Sequence, residues 1–205
     1  MTWDILNAIG TIAFAISGVL IAKEEDYDLF GIYVLGFTTA FGGGLIRNLL
    51  IGIPIENFWL QGHLFEIAFL SITIVYLLPN RWIHKWKNCV VFFDAIGLAA
   101  FAIQGANYGV SIEAPLIVVI IAACMTGTGG GMLRDLFAGR KPMIFSSGIY
   151  AFWAVLVGLV IGLDWIQGPY FTFVLLIVIV ILRILSVYFN WNLPHTIYNK
   201  RRMGK

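Results

Sequence analysis

The sequence predicts an all-α membrane protein with seven transmembrane helices, arranged as two inverted three-helix repeats plus one extra helix. Three observations carry that expectation: an apolar composition, seven long apolar stretches, and a self-match at a fixed offset of 87 residues. Of the 205 residues, 60% are hydrophobic and 12% are charged, against about 45–50% and about 25% in an ordinary soluble domain. One water-soluble core of this length cannot hide so much apolar surface, so lipid must cover the excess. The net charge of +2 says little, because the positions of the charges matter more than their sum. Cys89 and Cys124 do not form a metal spacing and His63, His84 and His195 are scattered, so neither a disulfide scaffold nor a metal site is expected. No cofactor is expected either.

A helix needs about 20 mainly apolar residues to cross the hydrocarbon core. The seven stretches run over residues 4–22, 29–51, 63–78, 89–105, 114–138, 147–163 and 168–189. The breaks carry turn and charge signals: KEEDYD, ENFWLQG after Pro54, PNRWIHKWKN, RKP and WIQGP. With the N-terminus outside, the cytoplasmic loops and tail hold Lys23, Arg81, Lys85, Lys87, Arg140, Lys141, Lys200, Arg201, Arg202 and Lys205. That is ten of the thirteen basic residues, and the outer loops hold none, as the positive-inside rule requires. The remaining three, Arg47, Arg134 and Arg183, fall inside spans. The first span has no basic segment before it, so it reads as a membrane helix and not as a cleaved leader. The chain is thus a single multi-pass domain of a cell membrane, with its C-terminus in the cytoplasm.

Residues 8–18, AIGTIAFAISG, match residues 95–105, AIGLAAFAIQG, at eight of eleven positions. At the same offset, residues 42–52, GGGLIRNLLIG, match residues 129–139, GGGMLRDLFAG, at six of eleven. Two ungapped matches at one offset divide the chain into a first repeat (4–80), a second repeat (89–165), a seventh helix (168–190) and a basic tail (191–205). Three crossings is an odd number, so the second repeat enters from the opposite side, which is the inverted plan of many transport proteins.

The triplets Gly42, Gly43, Gly44 and Gly129, Gly130, Gly131 fall mid-span. Each glycine costs about 1 kcal/mol relative to alanine in an exposed helix interior, so a run of three has a reason. Close helix packing is one, since Gly36, Ala40 and Gly44, like Gly127 and Gly131, have small-xxx-small spacing. A kink or local unwinding that turns carbonyls to a polar lumen is the other, favoured here because the triplet recurs at one depth beside Thr38, Thr39, Thr126 and Thr128. Arg47 and Arg134 follow one turn later. An intramembrane arginine faces protein or water, as a structural ion pair or as part of a pore.

An inner cluster of Asp94, Arg134 and Asp135 is expected. Its first-repeat counterpart, Asn7, Arg47 and Asn48, lacks both carboxylates. Asp4 or Glu66 is expected to compensate there, leaving two electrically unequal vestibules. Ser17 and Gln104 are equivalent positions that either line a path or bond helix to helix. Arg183 is expected to snorkel to the interface. The terminal KRRMGK is a topology signal, with attraction to anionic lipid second.

The paired GGGxxR[DN]xxxG motifs, each following an AIGxxAFAxxG helix, make the chain similar to the prokaryotic form of the trimeric intracellular cation channel family over residues 4–189. The resemblance implies a homotrimer in membrane lipid, one pore per protomer formed by the first, second, fourth and fifth spans, and passage of monovalent cations, chiefly potassium. It assigns Gly42, Gly43, Gly44, Arg47, Gly129, Gly130, Gly131, Arg134 and Asp135 to the pore and gate. Asn48 departs from an acidic position in that motif. The same prokaryotic group is also described as glycine transporters, so a carrier for a small zwitterion is the alternative. An enzyme is not expected, since no nucleophile with a base, no HExxH and no phosphate loop is present, and no nucleic-acid partner is expected.

Overall fold

A computed structural model gives the architecture and describes residues 2–54, 56–79, 87–146, 149–165 and 168–192. Among these residues the protein is all-helical: α1 (Thr2–Glu24), α2 (Leu29–Ile51), α3 (Glu56–Trp59), α4 (Gly62–Leu77), α5 (Lys87–Ser111), α6 (Leu116–Phe137), α7 (Met143–Ser146), α8 (Tyr150–Gly162) and α9 (Pro169–Tyr188). Helices α1, α2, α5, α6 and α9 are long and apolar enough to cross a membrane, while α4 and α8 are shorter apolar helices of 16 and 13 residues. The linker around Arg81 and Lys85 and the basic tail from residue 193 lie outside the described residues.

Local chemistry sets the helix ends. The Asp28 carboxylate accepts from Gly31 N at 2.7 Å and caps α2. Gly52 and Gly139, which are 87 residues apart, take left-handed φ values of +72° and +68° just past the ends of α2 and α6, a conformation that costs any residue with a Cβ. Pro169, following Gly168, opens α9 where its missing N–H is no loss.

Four helices make the centre: α1 packs on α2 and α5, and α6 packs on α2 and α5. Around them α4 lies against α1 and α2, α8 lies against α5 and α6, and α9 covers α5 and α8. The centre is tight because it is built of small residues; Ala13, Ala15, Ala99, Ala102, Ala122 and Ala123 are all buried. Many large apolar side chains also face outward, among them Phe30, Leu50, Leu70, Ile74, Ile177 and Tyr188, which suits contact with lipid.

One end of the bundle is stitched by long-range polar contacts. Lys23, at the end of α1, donates to the carbonyls of Val75, Tyr76 and Leu78 at 3.0, 2.8 and 3.0 Å, satisfying acceptors that the end of α4 leaves open. Beside it, Tyr27 donates to the Phe137 carbonyl at 2.6 Å, and Arg140 pairs with Glu24 and Glu25. Replacing Lys23 by Met removes three charge-assisted bonds while keeping the aliphatic stem. It is expected to lower stability by about 1.5 kcal/mol, read as a fall in the thermal unfolding midpoint in detergent.

Candidate functional site at the helix crossing

Where α2 meets α6, backbone touches backbone. A Cβ on Gly43 would overlap the carbonyl oxygen of Thr126, and a Cβ on Gly130 would overlap that of Thr39. The two contacts are equivalents exchanged, because Gly43 and Thr39 lie 87 residues before Gly130 and Thr126. The same exchange recurs around them: Leu133 packs on Gly42 and Ile46 on Gly129. Phe14 lies over Gly97 and Phe101 over Gly10, and the two rings meet edge to face at 5.3 Å between centroids. Thr39 Oγ1 donates to Leu35 O and Thr126 Oγ1 to Ala122 O, each at 2.6 Å.

Next to Gly131 the helices enclose a charged cluster. Arg134 donates from Nη1 to Asp94 Oδ1 at 2.8 Å and to Ser17 Oγ at 2.5 Å, and from Nε to Asp135 Oδ1 at 2.8 Å. Asp135 Oδ2 also accepts from Met143 N at 2.9 Å, which ties α7 to the cluster. Arg134 and Asp94 are 0% exposed. Gly131 makes room for them: a Cβ there would lie 2.9 Å from Tyr150 Oη and 3.1 Å from Asp94 Oδ1. The Arg183 guanidinium of α9 lies over the Tyr150 ring at 4.6 Å and is 1% exposed. Both carboxylates pair with Arg134, and Arg183 brings a second guanidinium against the Tyr150 ring.

Arg47 occupies the equivalent place in the first repeat with different company. Its Nε and Nη2 both donate to Asn48 Oδ1, at 3.0 and 2.8 Å, and its guanidinium stacks on the Tyr108 ring at 3.8 Å. Among the described residues no ion pair holds it. It borders a cavity of ≈ 20 Å³ shared with Asn7, Thr11, Gly44, Gln61 and Gln104. At the stitched end of the bundle, a wider vestibule of ≈ 210 Å³ is lined by Glu24, Asp135, Arg140 and Lys141. Partial burial opposes the Arg140 cation there, but hydrogen bonds to Glu25 and Glu24 outweigh it and raise the arginine above its ordinary pKa.

Several expectations are corrected. Gly42–Gly44 and Gly129–Gly131 stay helical, so the triplets do not unwind. Their first two members serve close packing, since their missing side chains are where the other helix sits. Thr39, Thr126 and Thr128 do not offer free hydroxyls to a lumen; they are buried and bond back to the carbonyls of Leu35, Ala122 and Cys124. The crossing is filled rather than watery. Arg183 does not snorkel, because Tyr150 supplies a ring face and Met143 Sδ lies 3.9 Å from Nη2. Asp4 and Glu66 are exposed, whereas the buried Arg47 takes Asn48 and Tyr108 as neighbours. The structure does bring together Asp94, Arg134, Asp135 and Ser17, and separately Asn7, Arg47, Asn48 and Gln104. Tyr108, Tyr150 and Thr11 were missed; Tyr108 had a signal, lying one turn after Gln104 on the same helix face.

Comparison with known proteins puts this all-helical membrane chain in a channel- or transporter-like membrane family. The family follows from comparison: residues 4–80 and 91–164 match the model described as Glycine transporter, and the chain belongs to that family. It is 54% identical over 195 residues to the UPF0126 membrane protein YvgT of Bacillus subtilis (strain 168), covering 95% of this chain and 96% of that one. It is 38% identical over 159 residues to the inner membrane protein YadS of Escherichia coli (strain K12), covering 76% and 75%. Among solved structures it is similar to a chain from work on conductance through TRIC cation channels, with TM-score 0.81, 36% identity and coverage of 96% and 98%. A prokaryotic TRIC channel in 0.5 M KCl gives TM-score 0.80, 34% identity and coverage of 93% and 98%. The TRIC trimeric intracellular cation channel orthologue from Rhodobacter sphaeroides gives 0.75, 26%, and 91% and 97%.

Breaking the buried cluster by Asp94→Asn leaves two guanidiniums against one carboxylate and is expected to cost about 3 kcal/mol. Adding Arg183→Met restores the balance of charge, so the double variant is expected to regain part of the loss in thermal unfolding. Additive losses would show that Arg183 and Asp94 do not interact.

Proposed function

We propose that this chain is a passive channel for monovalent cations, potassium chief among them. It works as a homotrimer in the cell membrane, and each protomer holds its own pore between α1, α2, α5 and α6. In this reading α4 and α8 complete seven crossings with the N-terminus outside, and the two three-helix units lie inverted to each other. The separate family matches to residues 4–80 and 91–164 and the exchanged contacts at the crossing support that arrangement.

The observation that carries the reading is the crossing of α2 and α6, closed by backbone and flanked by polar space on both sides. On one side stands the Arg47 cavity, and on the other the Arg134 cluster with the vestibule beyond Asp135. A seal whose closest contacts are backbone opens when the helices part, with Leu133 and Ile46 moving with their own helices. Carbonyls of Thr39 and Thr126 then face the gap and offer oxygen to a cation. The rings of Phe14 and Phe101 fill the other face of the crossing and must turn with it. Asp94 and Asp135 offset Arg134, so a cation at that end does not meet an unopposed positive charge.

The second reading is a glycine carrier, favoured by the family description and by an arginine free to hold a carboxylate. Reconstitution in liposomes separates the two. Unitary potassium currents that reverse with the potassium gradient are expected of the channel. Saturable glycine counterflow without unitary current would replace it with the carrier. Gly43→Ala and Gly130→Ala each place a Cβ against a carbonyl that cannot yield, and are expected to raise resting potassium flux by wedging the seal. Unchanged flux with a lowered unfolding midpoint would make the triplets packing elements alone.

A further inference from the structure

We infer that the cavity beside Arg47 binds a small monovalent anion of halide type, which stands where Asp94 stands beside Arg134. The inference does not rest on the channel reading, and it competes with the carrier reading for Arg47. Asn7 precedes Asp94, Arg47 precedes Arg134 and Asn48 precedes Asp135 by the same 87 residues, so equivalent positions surround the two arginines but amides stand at the Arg47 site where the Arg134 site has acids. The Arg134 site carries its own counter-charge in two carboxylates. At the Arg47 site the amide oxygen of Asn48 takes two of the guanidinium's bonds, and no described carboxylate replaces what Asp94 supplies.

What remains unmet around the cavity supports a ligand. Arg47, Asn7 and Thr11 are 3%, 5% and 0% exposed, and each keeps a buried polar atom without a partner: Nη1, Oδ1 and Oγ1. All three residues border the same space, with Gln104 beside them. Arg47 Nη1 is a donor and the Thr11 hydroxyl turns to donate. The Asn7 amide presents Nδ2 in place of Oδ1 by a half-turn, because the two ends of an amide are interchangeable in shape. With the amide so turned, three residues that border one space can each offer it a donor, which is the set an anion needs. A water would satisfy hydrogen bonds there but would leave a buried positive charge unopposed.

Size limits the occupant. The space is ≈ 20 Å³, and one water-sized body needs about 10–15 Å³ on this measure. A halide fits and an amino acid does not. Gln61, in the turn before α4, and the buried Phe58 also border the space.

Bromide tests the site directly through its anomalous scattering. Crystals of the full chain grown in sodium bromide are expected to show a bromide within hydrogen-bond reach of Arg47 Nη1. Asn7→Asp supplies the missing carboxylate and is expected to abolish that peak. In detergent at fixed ionic strength, exchanging sodium gluconate for sodium bromide is expected to raise the wild-type unfolding midpoint. Asn7→Asp is expected to start higher in gluconate and not respond, and Thr11→Val to need more bromide for half the shift. Absence of both peak and shift would overturn the site and leave a water there. A peak that persists in Asn7→Asp would overturn its equivalence with Asp94. A midpoint raised through Arg47 by glycine and not by bromide would replace the halide with a zwitterion. None of these readouts depends on flux, so their failure is separate from failure of the channel reading.

Discussion

The contact of Gly43 with the Thr126 carbonyl, and of Gly130 with that of Thr39, governs the rest of the structure. Two helices can approach this closely only where neither has a side chain. The approach in turn fixes what surrounds it. Gly18 and Gly105 must also be bare, because Thr39 and Thr126 press their hydroxyls and the preceding turns of α2 and α6 against α1 and α5. Those hydroxyls are then left with only their own helix to bond. Tight packing at the centre and polar space on either side are two results of the same register.

The register also sets where the arginines lie. One turn past each triplet the helices have diverged enough to admit a guanidinium, and the third glycine keeps the adjoining wall low: Gly44 borders the Arg47 cavity and Gly131 makes room for Tyr150 and Asp94. From there the two sites part company. Arg134 is enclosed by Asp94, Asp135 and Ser17, whereas Arg47 has amides, a ring face and an unfilled space. The two equivalent arginines thus differ in their counter-charge, with two carboxylates bonded to Arg134 and an amide to Arg47. The difference comes from two positions, where Asn7 and Asn48 stand opposite Asp94 and Asp135.

Much of this was legible from residues alone. The offset of 87 residues identified the equivalent positions, and the depth of Asp94 and Asp135 grouped them correctly with Arg134. Ser17 and Gln104 divide as the offset implies, each standing beside the arginine of the other repeat. The role of the triplets was not legible, because glycine permits both unwinding and close approach, and only the partner helix decides between them. Arg183 was misjudged for a related reason: a long cation near a helix end reaches either water or a buried ring, and nothing near it in the chain points to Tyr150. Position in sequence revealed pairs within the repeat, but α9 has no counterpart to compare with.

Phe14 and Phe101 are each other's counterparts and also touch. Under the inverted arrangement proposed above, a residue that meets its own duplicate would lie on the rotation axis relating the halves, since only there does a half-turn carry a point onto its neighbour. Two unlinked chains of half the length, each bearing such a phenylalanine, would meet ring to ring at the same spot. The edge-to-face arrangement is itself unequal, with one ring offering its rim and the other its face, so two residues at equivalent positions take different parts.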